Sequence, residues 1–400
     1  MPMLALRHLF HVCILTRQPY DAAPPLEASG GQPAMQQFLI ILWLILVGCV
    51  SVVTLLSLIP GRSWVLRVCD FPRAQMFTLG LVLLGVGLLV YITGVEWSGG
   101  GAGDGWGSVV WVSGVILLAS AVVQAYWAGK FTALTKPEVP SSTLASGNGD
   151  RRDPKLPVDG SIRLITANVD YTNADRAGAI DRLMEMQPHI LAMVETDEQW
   201  DEDIERYRER YPYMVKALRK LGRGMVLLSR FPIEQGEVRY LVDDDRPSIW
   251  AELCLPDGGC LRLVVTHPPP PGLPKRRGSG RHSSKKRDIE LDIIASRVRS
   301  QPGHQWILSG DFNDVGWSGT TMRAKRVSGL RDPRVGRGMF STFPASLPLL
   351  RYPIDHVLVS NAFRLVGLQR LEDIGSDHLP LLADLELPAK RRPNSGPSED

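Results

Sequence analysis

Cysteine is scarce in this 400-residue sequence: five are present, and no two form a Cys-x-x-Cys pair. A zinc knuckle is therefore not expected. No internal repeat is visible, so an array of stacked units is not expected either. Charge is nearly missing from the first third of the chain, and Phe38 to Ile59 contains no charged residue at all. The overall figures (net charge +3, pI ≈ 8.6, 44% hydrophobic) average over that gap and a remainder rich in Arg, Asp and Glu. A single soluble globule does not explain such a split; a membrane part followed by a soluble part does.

The uncharged run at 38–59 is long enough, at about 1.5 Å per residue, to cross a hydrocarbon core of about 30 Å. A second run extends from Met76 to Val95 and a third from Val109 to Gly129. Trp106, Trp111, Tyr126 and Trp127 lie near the ends of the third, where amphipathic rings favour the membrane interface. Three membrane-spanning helices are thus expected over 38–130. Arg62, Arg67 and Arg73 fall between the first two runs, only Glu96 and Asp104 between the second and third, and Lys130, Lys136, Arg151 and Arg152 after the third. The positive-inside rule then places the first connection and the C-terminal part in the cytoplasm. Residues 1–37 form an N-terminal extension, expected to be disordered, whose long apolar run comes too late for a signal peptide. Met35 directly precedes the first run and is an alternative start to Met1.

Cys254 and Cys260 bear on the same question of compartment. They flank the turn-like Pro256-Asp257-Gly258-Gly259, and a short hairpin loop there would set them opposite each other. The reading adopted is that they are two small apolar strand residues. A disulfide would instead imply an oxidising compartment.

Residues 131–160 are rich in Pro, Ser, Gly and Asn and read as a flexible linker. Residues 388–400 read as a disordered tail. Between them, 161–387 alternates strand and helix patterns. Strands are expected at Ile162–Val169, Ile190–Val194, Met225–Leu228, Trp250–Leu253, Leu261–Val265, Trp306–Leu308, Ile354–Val359 and Leu381–Leu385. Helices are expected at Asp175–Met186, with Ile180, Leu183 and Met184 inward, and at Lys285–Val298, with Ile289, Ile293 and Val298 inward.

Several polar residues stand at the ends of these apolar strands, where rigid backbone can present them to one cleft. Glu195 ends Ile190-Leu191-Ala192-Met193-Val194 and is a natural ligand for a hard cation. Asp311 and Asn313 follow Trp306-Ile307-Leu308-Ser309-Gly310 and point the same way if that segment is extended. Asp355 interrupts an apolar strand and wants a partner, because an unpaired buried carboxylate is costly. His378 sits in Gly375-Ser376-Asp377-His378, and His267 ends Leu263-Val264-Val265-Thr266. Each of these, taken alone, is explained as well or better by an ordinary structural role.

Their order is more informative than any one of them. Thr166-Ala167-Asn168-Val169, Val194-Glu195, Leu228-Ser229-Arg230-Phe231-Pro232-Ile233, Thr266-His267, Gly310-Asp311-Phe312-Asn313, Ile354-Asp355-His356-Val357-Leu358 and Ser376-Asp377-His378-Leu379-Pro380 together resemble the motif series of the endonuclease/exonuclease/phosphatase superfamily. The resemblance covers about 161–387 and extends to bacterial members with about three N-terminal helices. It implies a fold of α/β (α+β) class: a four-layer αββα sandwich of two mixed sheets flanked by helices. It also implies an integral protein of the bacterial inner membrane. The site it implies hydrolyses phosphate esters with Mg²⁺, or Mn²⁺ in its place. Glu195 would hold the metal, helped by Asn168 and Asp377. Asp311 would orient or deprotonate the attacking water and Asn313 would hold a phosphate oxygen or the nucleophile. His378 would donate to the phosphate with Asp355 fixing its tautomer, and His267 would be a second donor.

The substrate is less legible. After His267 come four prolines, then a basic stretch with seven Lys or Arg between Lys275 and Arg287, including Arg281, Lys285, Lys286 and Arg287. It suits a nucleic-acid backbone, the anionic headgroups of a nearby bilayer, or no ligand at all. Aromatic residues, which would favour stacked single strands, do not interrupt it. The expected activity is nuclease-type hydrolysis of phosphodiesters, with a phosphodiesterase or phosphatase acting on lipid headgroups or small esters as the alternative and a non-enzymatic membrane scaffold as a lesser one. Nothing specifies a protein partner.

Overall fold

The computed structural model describes residues 32–93, 105–145, 155–256, 258–270 and 283–387. The expected tail at 388–400, the middle of the expected linker at 146–154, most of the N-terminal extension and Arg281 lie outside the described residues.

The N-terminal part holds α1 (Gln32–Leu58), the short α2 (Trp64–Val68), α3 (Arg73–Thr93) and α4 (Gly105–Ala128). Three helical stretches, Phe38–Leu58, Arg73–Ile92 and Gly107–Phe131, are long and apolar enough to cross a membrane. Val47, Val50, Leu83 and Leu117 pack between the helices. Leu55, Ile92 and Val122 point outward, uncovered by protein. A helix apolar on every side fits a bilayer rather than water.

The C-terminal part contains β1 (Ile162–Asn168), α5 (Arg176–Glu185), β2 (Ile190–Thr196), α6 (Asp201–Glu205), β3 (Tyr213–Ala217), β4 (Gly224–Ser229) and β5 (Ile233–Arg239). It continues with β6 (Ser248–Cys254), β7 (Cys260–Thr266), α7 (Lys285–Arg299), β8 (Gln305–Asp311), α8 (Gly319–Ser328), β9 (Asp355–Val359), β10 (Arg364–Arg370) and β11 (Leu381–Glu386). One sheet has the order β10-β11-β1-β2-β4-β3 and the other β5-β6-β7-β8-β9. Both are mixed: β1 runs parallel to β2 and β7 parallel to β8, and the remaining neighbours are antiparallel.

The apolar strands are buried on both faces, and alternation distributes their side chains between layers. In β1, Ile162 and Leu164 enter the core between the sheets, while Ile165 and Ala167 face the layer of α5 and α6. On the far side, Val264, Trp306 and Leu308 meet Leu291, Ile294 and Val298 of α7 and Ala324 of α8. The result is the four-layer αββα sandwich, with three apolar helices N-terminal to it.

Four departures from expectation have physical reasons. The strands β3, β5 and β10 and the helix α8 carry too many polar or exposed residues to be seen as apolar runs. Helix α7 buries Leu291, Ile294, Ala295 and Val298, together with Arg287, Asp288 and Glu290, while Ile293 is exposed. An apolar-only pattern placed Val298 correctly but took Ile293 for an inward residue, because polar residues share the true face. Residues 132–145, expected within the flexible linker, are docked instead. Val139 is buried in the central core, Leu365 N–H donates to the Pro140 carbonyl at 2.8 Å, and Ser142 N–H donates to Leu365 at 2.7 Å. This stretch lies along the open edge of β10, so its prolines cost few bonds while the strand edge is covered. Finally, Cys254 and Cys260 pair across the β6–β7 hairpin and form a disulfide, contrary to the free-thiol expectation.

The two parts of the chain meet directly. Trp317 Nε1 donates to the Asp70 carbonyl at 2.7 Å and Ser284 N–H to the Arg62 carbonyl at 2.8 Å. Phe131, just past α4, stacks edge-on against Trp317. The connection between α1 and α3 thus sits against the α7 and β8–α8 side of the sandwich.

Candidate active site

The C-terminal ends of the two parallel pairs, β1/β2 and β7/β8, open toward the same cleft. β1 ends on Asn168, β2 carries Glu195, His267 follows β7, and β8 ends on Asp311. Asp355 opens β9 directly opposite Asp311 in register, and the loop before β11 supplies His378. Six sequence-expected residues are therefore brought together.

Local backbone aims each of them. Glu195 has φ 63°, at a register shift of β2 between Val194 and Thr196. A bulge of this kind re-aims one side chain, and a left-handed non-glycine residue stores strain of order 1–3 kcal/mol. Asn313 is also left-handed, at φ 52°; asparagine tolerates this better than most residues. Its N–H donates to Asp311 Oδ1 at 2.7 Å, and its Nδ2 donates to the Pro268 carbonyl at 3.0 Å. Gly310 has φ 130°, and a Cβ there would lie 2.1 Å from the Thr266 carbonyl. Only glycine lets β8 run that close to β7 and still turn Asp311 inward.

Asn168 Nδ2 donates to Glu195 Oε1 at 3.0 Å and to Asp311 Oδ2 at 3.2 Å. His267 Nε2 stands 3.6 Å from both of those carboxylate oxygens. On the other side His378 Nε2 lies 3.7 Å from Asp311 Oδ2, and its Nδ1 lies 2.8 Å from Asp355 Oδ2. Phe343 covers the His378 ring with 4.7 Å between centroids. Ser376 Oγ donates to the Asn168 carbonyl at 2.8 Å and receives the His378 N–H at 3.1 Å, tying the last loop to β1.

Burial sets the charges. It raises the Asp311 carboxyl, an effect opposed by His378 and reinforced by Asp355 and Glu195. It raises Glu195 as well, against the Asn168 amide and His378. Burial alone would lower His378, but Asp355 and Asp311 outweigh it and hold the ring as an imidazolium. Burial, then Arg246 and His378, lower His267 well below the usual range, so that ring is neutral. Buried carboxylates lacking enough positive charge, beside an amide and a neutral imidazole, form a donor set that suits a divalent cation. Glu195, His267 and Asp311 each offer an atom within 4.8 Å of the others. The residues present therefore fit a metal.

The remaining expected residues divide. The side chain of Asp377 is 58% exposed at the rim, 4.0 Å from His378 Nε2. Lys285 is exposed, and Lys286 pairs with Asp243. Arg287, expected to grip substrate, is fully buried. Its Nη1 donates to the Asn313 carbonyl at 2.6 Å and its Nη2 faces Asp314 at 3.0 Å. It holds the Asp311–Asp314 turn from behind and presents no charge to the cleft.

The layer behind the site was signalled in the sequence only by His356, within Ile354-Asp355-His356-Val357-Leu358. His356 is stacked on Phe312 at 4.3 Å, with Nε2 2.8 Å from the Asp314 carbonyl and Nδ1 2.6 Å from Arg334 Nη2. Because the guanidinium only donates, Nδ1 must accept and Nε2–H must donate. Asp332 fixes Arg334 through a buried ion pair at 2.8 Å.

A two-sheet sandwich with clustered carboxylates, an Asp–His pair and a metal-suited donor set defines a metal-dependent phosphate-ester hydrolase. Residues 165–378, just over half of the chain, match the profile of the Endonuclease/Exonuclease/phosphatase family. The chain belongs to that family. It is similar to the human Nocturnin catalytic domain solved with bound sulfate, at 17% identity and TM-score 0.47, covering 59% of this chain and 100% of that one. It is similar to D. rerio TDP2 complexed with a single-strand DNA product, at 16% identity and TM-score 0.47, covering 57% and 99%. It is also similar to an endonuclease/exonuclease/phosphatase from Beutenbergia cavernae, at 19% identity and TM-score 0.44, covering 57% and 72%. No curated protein matches the chain.

Proposed function

We propose that this chain is a membrane-anchored, Mg²⁺-dependent hydrolase of phosphate esters. The observation that carries the reading is the buried line from Asp355 through His378 to Asp311, adjoining Glu195 and Asn168. Mg²⁺ would be held by Glu195, with Asn168 turning its Oδ1 toward the ion and Asp377 as a further ligand from the rim. When bound, it supplies charge to neutralise phosphate oxygens and the leaving group. Asp311, with one oxygen fixed by the Asn313 N–H, uses the other to orient water and take its proton. Asp355 accepts from His378 Nδ1–H, which leaves Nε2–H to donate to a phosphate oxygen. Neutral His267 is a second donor, across Asp311 Oδ2 from His378, and Asn313 Nδ2 sets the nearby Pro268 carbonyl.

Asp311→Ala and His378→Ala are each expected to lower turnover of bis-p-nitrophenyl phosphate by roughly 10²–10⁴-fold. The full chain in nanodiscs with Mg²⁺ is the system for this. Chelation should abolish the activity and Mn²⁺ should restore part of it. Near-wild-type turnover by either variant at unchanged melting temperature would refute these roles.

The side of the membrane follows a different observation. Arg62 and Arg67 each approach Asp288, and Arg73 pairs with Asp70, so these charges have structural partners independent of topology. The Cys254–Cys260 disulfide needs an oxidising compartment. We therefore place the catalytic domain on the extracytoplasmic face. A C-terminal green-fluorescent-protein fusion that fluoresces brightly in intact bacterial cells would refute that placement.

A further inference from the structure

Three leucines stand bare on the connection between α8 and β9. Leu347, Leu349 and Leu350 are 51%, 89% and 47% exposed. Pro348 lies among them, so Leu347-Pro348-Leu349-Leu350 is an unbroken apolar tip rather than a scatter of single residues.

The tip is fixed where the domain meets the anchor. The Leu349 carbonyl accepts from Gln75 Nε2 at 3.1 Å. Gln75 lies in the first turn of α3, whose apolar stretch begins at Arg73. On the return, Tyr352 packs edge-on against Phe71 with 5.4 Å between centroids. The leucines therefore sit beside the start of that apolar stretch, with 47–89% of their surface left uncovered.

The same loop reaches the catalytic cleft. Phe343 lies over the His378 ring, Ala345 N–H donates to the Asp377 carbonyl at 2.8 Å, and Leu379 N–H donates to Thr342 at 3.0 Å. Arg351 bonds back to the carbonyls of Pro344 and Ala345, closing the loop on itself. Five residues separate Phe343 from Leu349, and the six steps span at most about 20 Å of extended chain.

We propose that Leu347–Leu350 inserts into the adjacent leaflet and that the site takes the phosphate ester of a membrane amphiphile. The phosphate enters the cleft while the hydrocarbon chain stays in the bilayer beside the tip. This rests on the hydrolase reading above and names its substrate class. A nucleic acid would gain nothing from bare leucines at the bilayer surface. Of the four cations expected to grip one, Arg287 is buried and Lys286 is paired with Asp243, while Lys285 is exposed and Arg281 lies outside the described residues.

Two readouts on the full chain in phosphatidylglycerol–phosphatidylcholine nanodiscs test this. In a background with Cys13, Cys49 and Cys69 replaced by serine, Leu349→Cys carries an environment-sensitive fluorophore. Glu234→Cys, on β5 at the opposite edge of its sheet from β9, is the control. Doxyl-labelled lipid is expected to quench the label at 349 at least threefold more than at 234. Equal quenching at the two positions overturns the insertion.

The second readout compares hexadecyl p-nitrophenyl phosphate in the disc with methyl p-nitrophenyl phosphate in solution. The scissile bond is the same and only the anchor differs. The wild type should favour the hexadecyl ester at least tenfold in kcat/KM. In Leu347→Ser/Leu349→Ser/Leu350→Ser that preference should fall toward one, with methyl-ester turnover within about twofold of wild type. No preference in the wild type, an undiminished preference in the variant, or a matching loss on both esters each overturns the proposal. Faster cleavage of plasmid DNA than of the hexadecyl ester overturns the substrate class. A wild type inert toward both esters would mean the hydrolase reading has failed, while lipid quenching at 349 still decides the insertion.

Discussion

The two outer helical layers of the sandwich invite comparison. Helix α5 buries Ala179, Ile180, Leu183 and Met184 against its sheet and nothing charged. Its cap is local: Asp175 accepts the Gly178 N–H at 3.1 Å. Helix α7 buries an apolar stripe too, but the same face carries Arg287, Asp288 and Glu290. Asp288 is approached by Arg67 from the anchor side and receives Ser284 and Thr320 hydroxyls. Arg287 holds the turn that bears Asp311. Glu290 accepts the Thr266 hydroxyl at 2.6 Å, one residue before His267. One layer closes a core and reaches the site only through Arg182, which donates to the Ile374 carbonyl at 3.0 Å. The other closes a core and connects the anchor to the cleft.

Breaking the second layer should therefore cost function as well as stability. Arg287→Met would leave Asp314 buried without its cation, with an expected loss of about 3–5 kcal/mol. Its kcat per folded molecule should fall as the Asp311 turn loosens, measured by denaturant unfolding and active-site-normalised turnover. Leu183→Ala in α5 is the matched control, with a loss of about 2–5 kcal/mol from the cavity and unchanged kcat per folded molecule. A comparable kcat defect in Leu183→Ala would erase the distinction drawn between the layers.

Glu290 gives a smaller, pH-dependent effect. Burial pushes its carboxyl up to about 7, against the Thr266 hydrogen bond. The folded state thus favours the protonated acid, while the unfolded chain ionises near the ordinary value of about 4.3. Stability linked to this group is present below that value and is lost as pH rises toward 7. Glu290→Gln should remove the loss, so melting curves ought to show the variant gaining on wild type by on the order of 3–4 kcal/mol between pH 4 and pH 8. A constant difference across that range would show that Glu290 is not protonated in the fold. The smallest effect belongs to Arg67→Ala, whose contacts with Asp288 and Asp70 are long, at 3.5 and 3.7 Å. A loss of roughly 0.5–1 kcal/mol is expected in nanodiscs. A loss as large as that of Arg287→Met would place the weight of the connection at the anchor rather than at the turn.

The same contrast explains what could be read from the sequence. Helix α5 was legible down to Ile180, Leu183 and Met184 because apolar periodicity is its whole design. The αββα order, the three apolar helices, and the convergence of Asn168, Glu195, His267, Asp311, Asp355 and His378 were legible too. They stand at the ends of strands whose apolar runs are unmistakable, and motif order links residues far apart in the chain. The inward face of α7 was not legible, since Arg287 and Asp288 look like surface residues until Asp314 and Arg67 are known to lie beside them. The docked stretch at 132–145 was missed for a related reason: its composition cannot build a core, but it can complete one by lending Val139. The Arg334–His356 layer depends on contacts between distant segments, and the motif that holds His356 does not announce its partners Arg334 and Asp332.

That docked stretch has a mechanical consequence. A chain leaving α4 through a slack linker would let the domain tumble and sample all heights above the membrane. Here Lys130 accepts the Gly336 N–H, Glu138 takes Lys325, and Pro140 and Ser142 clasp Leu365, so the exit is taken up within a dozen residues. The cleft is held in one position relative to the three apolar helices. For the membrane-borne ester proposed above, encounter would then be a two-dimensional problem, in which reactants arriving by lateral diffusion would keep meeting a stationary mouth.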